Sequence, residues 1–138
     1  MKPVTQEDMF GCGVACVAFI LEKSYADAKK RYFRGNDLKS VGLFCRDLVK
    51  ALKKGGRGYD FKKVKGKIRF KVGDIVFVKR SKRFPAGHYL IKVKEGWMDP
   101  WMNFSVKEFD IKKAKSGLRK KLPGKAEWVV FTIDQVRK

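Results

Sequence analysis

The sequence predicts an α+β domain in which N-terminal helices pack on a C-terminal antiparallel sheet. Two patterns and one boundary lead there. Before residue 55 apolar residues recur at helical spacing, and from Tyr59 onward Val, Ile and Phe alternate with lysines, with Gly55-Gly56 between the two regimes. Helices first and sheet afterwards is the layout of this class. A chain of 138 residues is long enough for one core and too short for two independent ones, so residues 1–138 are expected to form a single domain.

Taken in order, Met1 to Phe10 is an extended lead-in. Val14 to Leu21 is apolar throughout and reads as a buried helix with Cys12 at its start and Glu22-Lys23-Ser24 closing it. Cys16, one turn on, is expected to be a small core residue. Tyr25 to Phe33 forms a second helix, stopped by Arg34-Gly35-Asn36-Asp37. The third runs from Val41 to Lys54 on a stripe of Val41, Phe44, Cys45, Leu48 and Leu52, and Gly55-Gly56 ends it. A short strand is expected over Ile68–Val72, turning at Gly73-Asp74 into Ile75–Val78. Arg80 to Gly87 is a basic loop; Tyr89–Val93 and Trp97–Trp101 are antiparallel strands joined through Glu95-Gly96. A short helix over Val106–Phe109, a basic loop from Lys112 to Lys125 and a final buried strand over Trp128–Ile133 complete the reading. Trp97, Trp101 and Phe104 are expected to fill the sheet core, the other reading being that they wall a site near Asp99.

An apolar fraction of 44% excludes general disorder. No apolar run approaches the ~20 residues that span a bilayer, and no signal-like segment opens the chain. A soluble protein is expected, cytoplasmic or exported by a signal-independent route. Three widely spaced cysteines make neither a disulfide framework nor a zinc site, and no cofactor is expected. The net charge of +20 is uneven: residues 1–50 hold nine Lys/Arg against six Asp/Glu, residues 51–138 twenty-five against eight. Such a field attracts nucleic acid, anionic membrane or acidic protein, and charge alone does not choose among them. Aromatics are sparse within the basic loops, and no recognised nucleic-acid-binding motif appears. The sequence sets no oligomeric state.

The chemistry-bearing residues are few. His88 is the only histidine, in Gly87-His88-Tyr89-Leu90-Ile91, with Asp99-Pro100 after it. Cys12 lies between Gly11 and Gly13 at the start of the first helix, where the helix N-terminus and a neighbouring imidazolium both favour a thiolate. Small flanking residues let a substrate backbone approach. A histidine titrating near working pH activates the thiol and then protonates a leaving amine. Its second nitrogen needs an acceptor, and a hairpin bringing Trp97-Met98-Asp99 back beside His88 makes Asp99 the candidate. Acyl transfer also needs an oxyanion donor, for which the Gln6 amide, six residues before Cys12, is the candidate beside a backbone N–H.

Gln6, Cys12-Gly13, Ala15-Cys16, His88-Tyr89 and Asp99-Pro100, in that order, resemble the C39 peptidases, papain-like cysteine proteases that cut leader peptides after a double glycine. The likeness spans roughly residues 4–104. It implies a papain-like fold and a peptide or protein substrate, possibly acidic, with Cys12 as nucleophile, Gln6 as oxyanion donor, His88 as general base and acid, and Asp99 orienting His88. Two features depart from the family pattern: Gly11 stands where an acidic residue is usual, and the interval from His88 to Asp99 is short. The same constellation serves transamidation, deamidation or acyl transfer. The alternatives from other classes are a papain-fold toxin or nucleic-acid-binding or -cleaving protein that uses the basic C-terminal half, and a non-catalytic peptide-binding module.

Overall fold

The computed structural model describes residues 2–133; Met1 of the expected lead-in lies outside them. Three helices, α1 (Cys12–Leu21), α2 (Tyr25–Tyr32) and α3 (Cys45–Lys54), precede the strands β1 (Tyr59–Lys63), β2 (Ile75–Val78), β3 (His88–Val93), β4 (Gly96–Asp99), β5 (Gly117–Arg119) and β6 (Ala126–Thr132). The strands form one sheet of order β1-β6-β2-β3-β4-β5, antiparallel at every pairing. The expected α+β class is what the chain adopts.

Helix α1 is the centre of the helical layer because its sequence offers no polar face: Val14, Ala15, Cys16, Val17 and Ala18 are fully buried. It packs on β3 and against α2 and α3, while α3 lies over β1 and β6. Ser24 starts α2, its hydroxyl accepting from the Asp27 N–H at 3.0 Å. Helix α3 buries Cys45, Leu48, Ala51 and Leu52 on one stripe. It begins four residues later than the stripe suggests, because the Asp47 carboxylate reaches back to accept from the Phe44 N–H at 2.7 Å and starts the helix there. Val41 and Phe44 are thereby left exposed ahead of it.

The sheet separates two cores. Ile75, Tyr89, Ile91, Met98 and Val130 face the helices, and Val76, Val78, Leu90, Trp97 and Val129 face the other way. That alternation is the period of two along each strand. Three expectations change here. Ile68–Val72 is not a strand: both edges of β2 are taken, by β3 and β6, so the segment lies unpaired and packs Ile68 and Phe70 onto the second core. Val106–Phe109 is not helical; a single 3-10 turn follows at Ile111–Lys113, where the Asp110 side chain accepts from the Lys112 N–H. The basic stretch Lys112–Lys125 is not all loop, since β5 runs inside it and closes the sheet edge beside β4.

That edge depends on a glycine. Gly96, at φ 149°, opens β4 where a Cβ would collide with the Arg119 carbonyl oxygen of β5. The hairpin turn accordingly falls at Lys94-Glu95, one residue before the expected position.

Candidate active site

Cys12 is the first residue of α1 and is partly exposed, and the backbone N–H of Tyr89 in β3 donates to its sulfur at 3.5 Å. This contact brings the head of the helix to the head of the strand that begins with His88. The His88 Nε2–H donates to Asp99 Oδ1 at 2.6 Å; a carboxylate only accepts, so this nitrogen carries the proton. Nδ1 is the nitrogen left free of Asp99, and Cys12, beside the next residue's backbone, is among the groups that raise the imidazole's pKa. The chain thus brings Cys12, His88 and Asp99 together across 87 residues of sequence.

Asp99 is fully buried, and every oxygen contact it makes is to an N–H. Oδ1 also accepts from the Trp101 backbone at 2.9 Å, and Oδ2 accepts from Arg119 Nε at 2.6 Å. Burial acts to raise its pKa, but His88, Arg119 and the Trp101 N–H outweigh burial and hold it at about 2. For His88 burial acts downward, and the bonds to Asp99 and Cys12 reverse the sign, leaving it raised to about 9. The pair is therefore an imidazolium and a carboxylate at neutral pH.

These shifts have a consequence for stability. A histidine raised from 6.5 to about 9 binds its proton more tightly folded than unfolded, so its contribution is whole below about pH 6.5 and is lost as pH rises through 9. The full difference is on the order of 3 kcal/mol. Asp99, depressed from 3.8 to about 2, contributes above pH 3.8 and loses that contribution as pH falls through 2. Urea midpoints are expected to fall between pH 6.5 and 9 in the wild type, and to fall much less over that range in His88→Ala, where only the buried thiols Cys16 and Cys45 lose stability near its upper end; parallel curves would refute the assignment.

The Phe84 ring stacks on the imidazole at 4.9 Å with an interplanar angle of 3°, and Phe104 lies 5.6 Å from Phe84. This aromatic lid shields the His88–Asp99 bond from water. Trp101 closes edge-on against Phe104 and belongs to the wall, whereas Trp97 packs with Phe70 in the second core. Both readings of the aromatics hold, for different residues.

Gln6 is almost fully buried and stands in the same cleft, its backbone N–H tied to the Pro100 carbonyl at 3.2 Å. Its Nε2 donates to the carbonyls of Asp8 and Met9 at 3.0 and 3.1 Å, and its Oε1 has no partner among the described residues. The amide thus braces the turn that leads into Cys12, and an oxyanion beside it would have to draw one of its hydrogens away. Gly11, where the family pattern differs, is explained locally: a Cβ there would collide with the Tyr25 hydroxyl, which donates to Asp8 at 2.7 Å.

A cleft of about 1140 Å³ opens over Cys12 and His88. Its walls include Val41, Phe44, Val106 and Phe109, all of them exposed apolar side chains, and Arg46, Lys79 and Arg80 bring positive charge to it. Two site residues escaped the sequence reading. Arg119 was hidden in a lysine-rich loop, and Phe84 in the basic loop before His88, where an isolated aromatic between Arg83 and Pro85 was the available signal.

Among the described residues no helix is long and apolar enough to cross a membrane, and no group of His, Cys, Asp and Glu is arranged to hold a metal ion. Comparison with protein-family models, curated proteins and solved structures finds no match.

Proposed function

We propose that this chain is a cysteine peptidase of the C39-like, papain-like kind. The observation that carries the reading is the meeting of two heads: the Cys12 sulfur at the start of α1 accepts from the Tyr89 N–H at 3.5 Å, and the neighbouring His88, at the start of β3, holds Asp99 Oδ1 at 2.6 Å. Cys12, as thiolate, attacks a peptide carbonyl carbon; the C–N bond breaks as the His88 imidazolium gives its proton to the departing amine; His88 then takes a proton from water, which cleaves the thioester. Oxyanion donors are the Cys12 backbone N–H, which as the first of its helix has no intrahelical partner, and the Gln6 amide. An acidic peptide suits a cleft whose walls carry Arg46, Lys79 and Arg80 against one carboxylate, Glu127, and double-glycine leaders are the first candidates.

Incubation with a mixture of such peptides, quenched in acid, is expected to leave a thioester on Cys12 visible by mass. Absence of both adduct and cleavage products would sink the reading.

Gln6 is tested separately. Gln6→Ala is expected to lower kcat about 100-fold while leaving alkylation of Cys12 by iodoacetamide at the wild-type rate, because alkylation develops no oxyanion. Equal losses in both would assign Gln6 to bracing the turn alone.

A second reading, a nucleic-acid-binding or -cleaving protein, is favoured by one observation. Lys65, Lys67, Arg69 and Lys71 lie exposed on the segment that covers the second core, and no carboxylate is within ion-pair distance of them among the described residues. It predicts RNA or DNA binding that weakens steeply with salt; no binding at low salt would remove it.

A further inference from the structure

We infer that Arg119 is a positioning residue that locks the Asp99 carboxylate and keeps it ionised while His88 cycles between its charged and neutral forms. The kinetic half of this inference rests on the peptidase reading; the geometric half does not.

The sheet places Arg119 for the task. Trp97 pairs with Arg119 and Asp99 with Gly117, so Arg119 and Asp99 lie on one face of the β4–β5 pair, diagonal to each other and within reach of a long side chain. The guanidinium is held at two points, Nε on Asp99 Oδ2 at 2.6 Å and Nη2 on the Met102 carbonyl at 2.9 Å, and its side chain is only 16% exposed. A carboxylate bonded through Oδ1 alone is free to rotate about its Cβ–Cγ bond and exchange oxygens. With Oδ2 tied to Arg119, rotation breaks a charge-assisted bond, and Oδ1 stays aimed at His88.

Charge gives the second reason. When His88 has passed its proton to a leaving amine it is neutral, and Asp99 is then a fully buried anion. A buried unpaired carboxylate takes up a proton instead of staying charged. Among the described residues Arg119 is the one other cation paired with Asp99, so it is the group that keeps Asp99 an acceptor through that half of the cycle. The segment also ties into the start of the chain: Ser116 exchanges hydrogen bonds with Thr5, next to Gln6. Strand β5 therefore steadies the orienting residue and the lead-in to the nucleophile together.

The sole histidine makes the test direct, because its Nε2–H gives one assignable, strongly deshielded proton resonance in water. Recorded in a Cys12→Ala background, that resonance reports the clamp whether or not the chain cleaves peptides. Arg119→Ala is expected to lose it to exchange, and in the otherwise wild-type chain to lower kcat about 10- to 100-fold with KM unchanged, as a misplaced catalytic group does. Guanidinium ion at millimolar concentration is expected to restore both, and neither in Asp99→Asn. Arg119→Lys keeps a cation but not the two-point grip, and is expected to fold as the wild type does with a reduced kcat; it replaces the alanine variant if that variant does not fold. A resonance and kcat unchanged in Arg119→Lys and Arg119→Ala would overturn the inference. A wild type that shows the Arg119-dependent resonance yet cleaves nothing would instead remove the peptidase and leave the clamp in place.

Discussion

Replacing Cys12 by alanine is expected to reduce peptide cleavage to background, a loss of about 10⁶ in kcat, while the fold persists. The thiol is the nucleophile of the account, and neither Cys16 nor Cys45 replaces it: both are buried, Cys16 completely, and burial raises the pKa of each. The structural cost is small. Cys12 is partly exposed, and its loss removes the acceptor of a long backbone bond from Tyr89, worth about 1 kcal/mol, and its share of the upward pull on the His88 pKa. Cys12→Ser is expected to be equally inactive, because its hydroxyl does not ionise beside an imidazolium. Cleavage assays and urea titrations on the two variants check both halves: substantial cleavage by Cys12→Ala would remove the thiol from the chemistry.

Removal of Asp99 is expected to damage stability as well as rate. Asp99→Ala leaves His88 without its acceptor, the Arg119 guanidinium without its carboxylate and the Trp101 N–H without a partner, around a carboxylate that is itself fully buried. Breaking such a pair costs about 3–5 kcal/mol. The near-isosteric Asp99→Asn is no remedy, since three N–H donors surround the carboxylate and an amide must turn its own NH2 toward one of them. A loss of about 10⁴ in kcat is expected for Asn, as for a histidine held in the wrong tautomer. Denaturant midpoints at pH 7 and kcat for the two variants measure it; an Asn variant with wild-type kcat would show that Asp99 does not orient His88.

How much of this was legible beforehand follows from which forces act locally. The helices were readable because α1 is apolar on every face and α3 carries a stripe of Leu48, Ala51 and Leu52, and β2, β3, β4 and β6 because their residues alternate between two cores. What the pattern does not contain is pairing: Ile68–Val72 alternates well but finds both neighbours of β2 occupied. Strand β5, three residues with Leu118 exposed, exists only because β4 offers it an edge, and Arg119 went unread with it. Of the site, Cys12, His88 and Asp99 were legible from type, order and flanking residues, and the structure brings them together. Gln6 arrives in the cleft with its hydrogens already engaged, a fact carried by the Asp8-Met9 turn, not by any motif.

The central claim is that the imidazole of His88 governs the reactivity of the Cys12 sulfur. The rate at which iodoacetamide alkylates Cys12, followed by peptide mass from pH 5 to 10 in the wild type and in His88→Ala, tests it most directly. His88 is raised to about 9 and so holds positive charge beside the sulfur across the neutral range. The wild type is expected to react at least about tenfold faster than His88→Ala near pH 6, the two rates converging above pH 9 as the imidazolium loses its proton. Superimposable profiles would contradict the account.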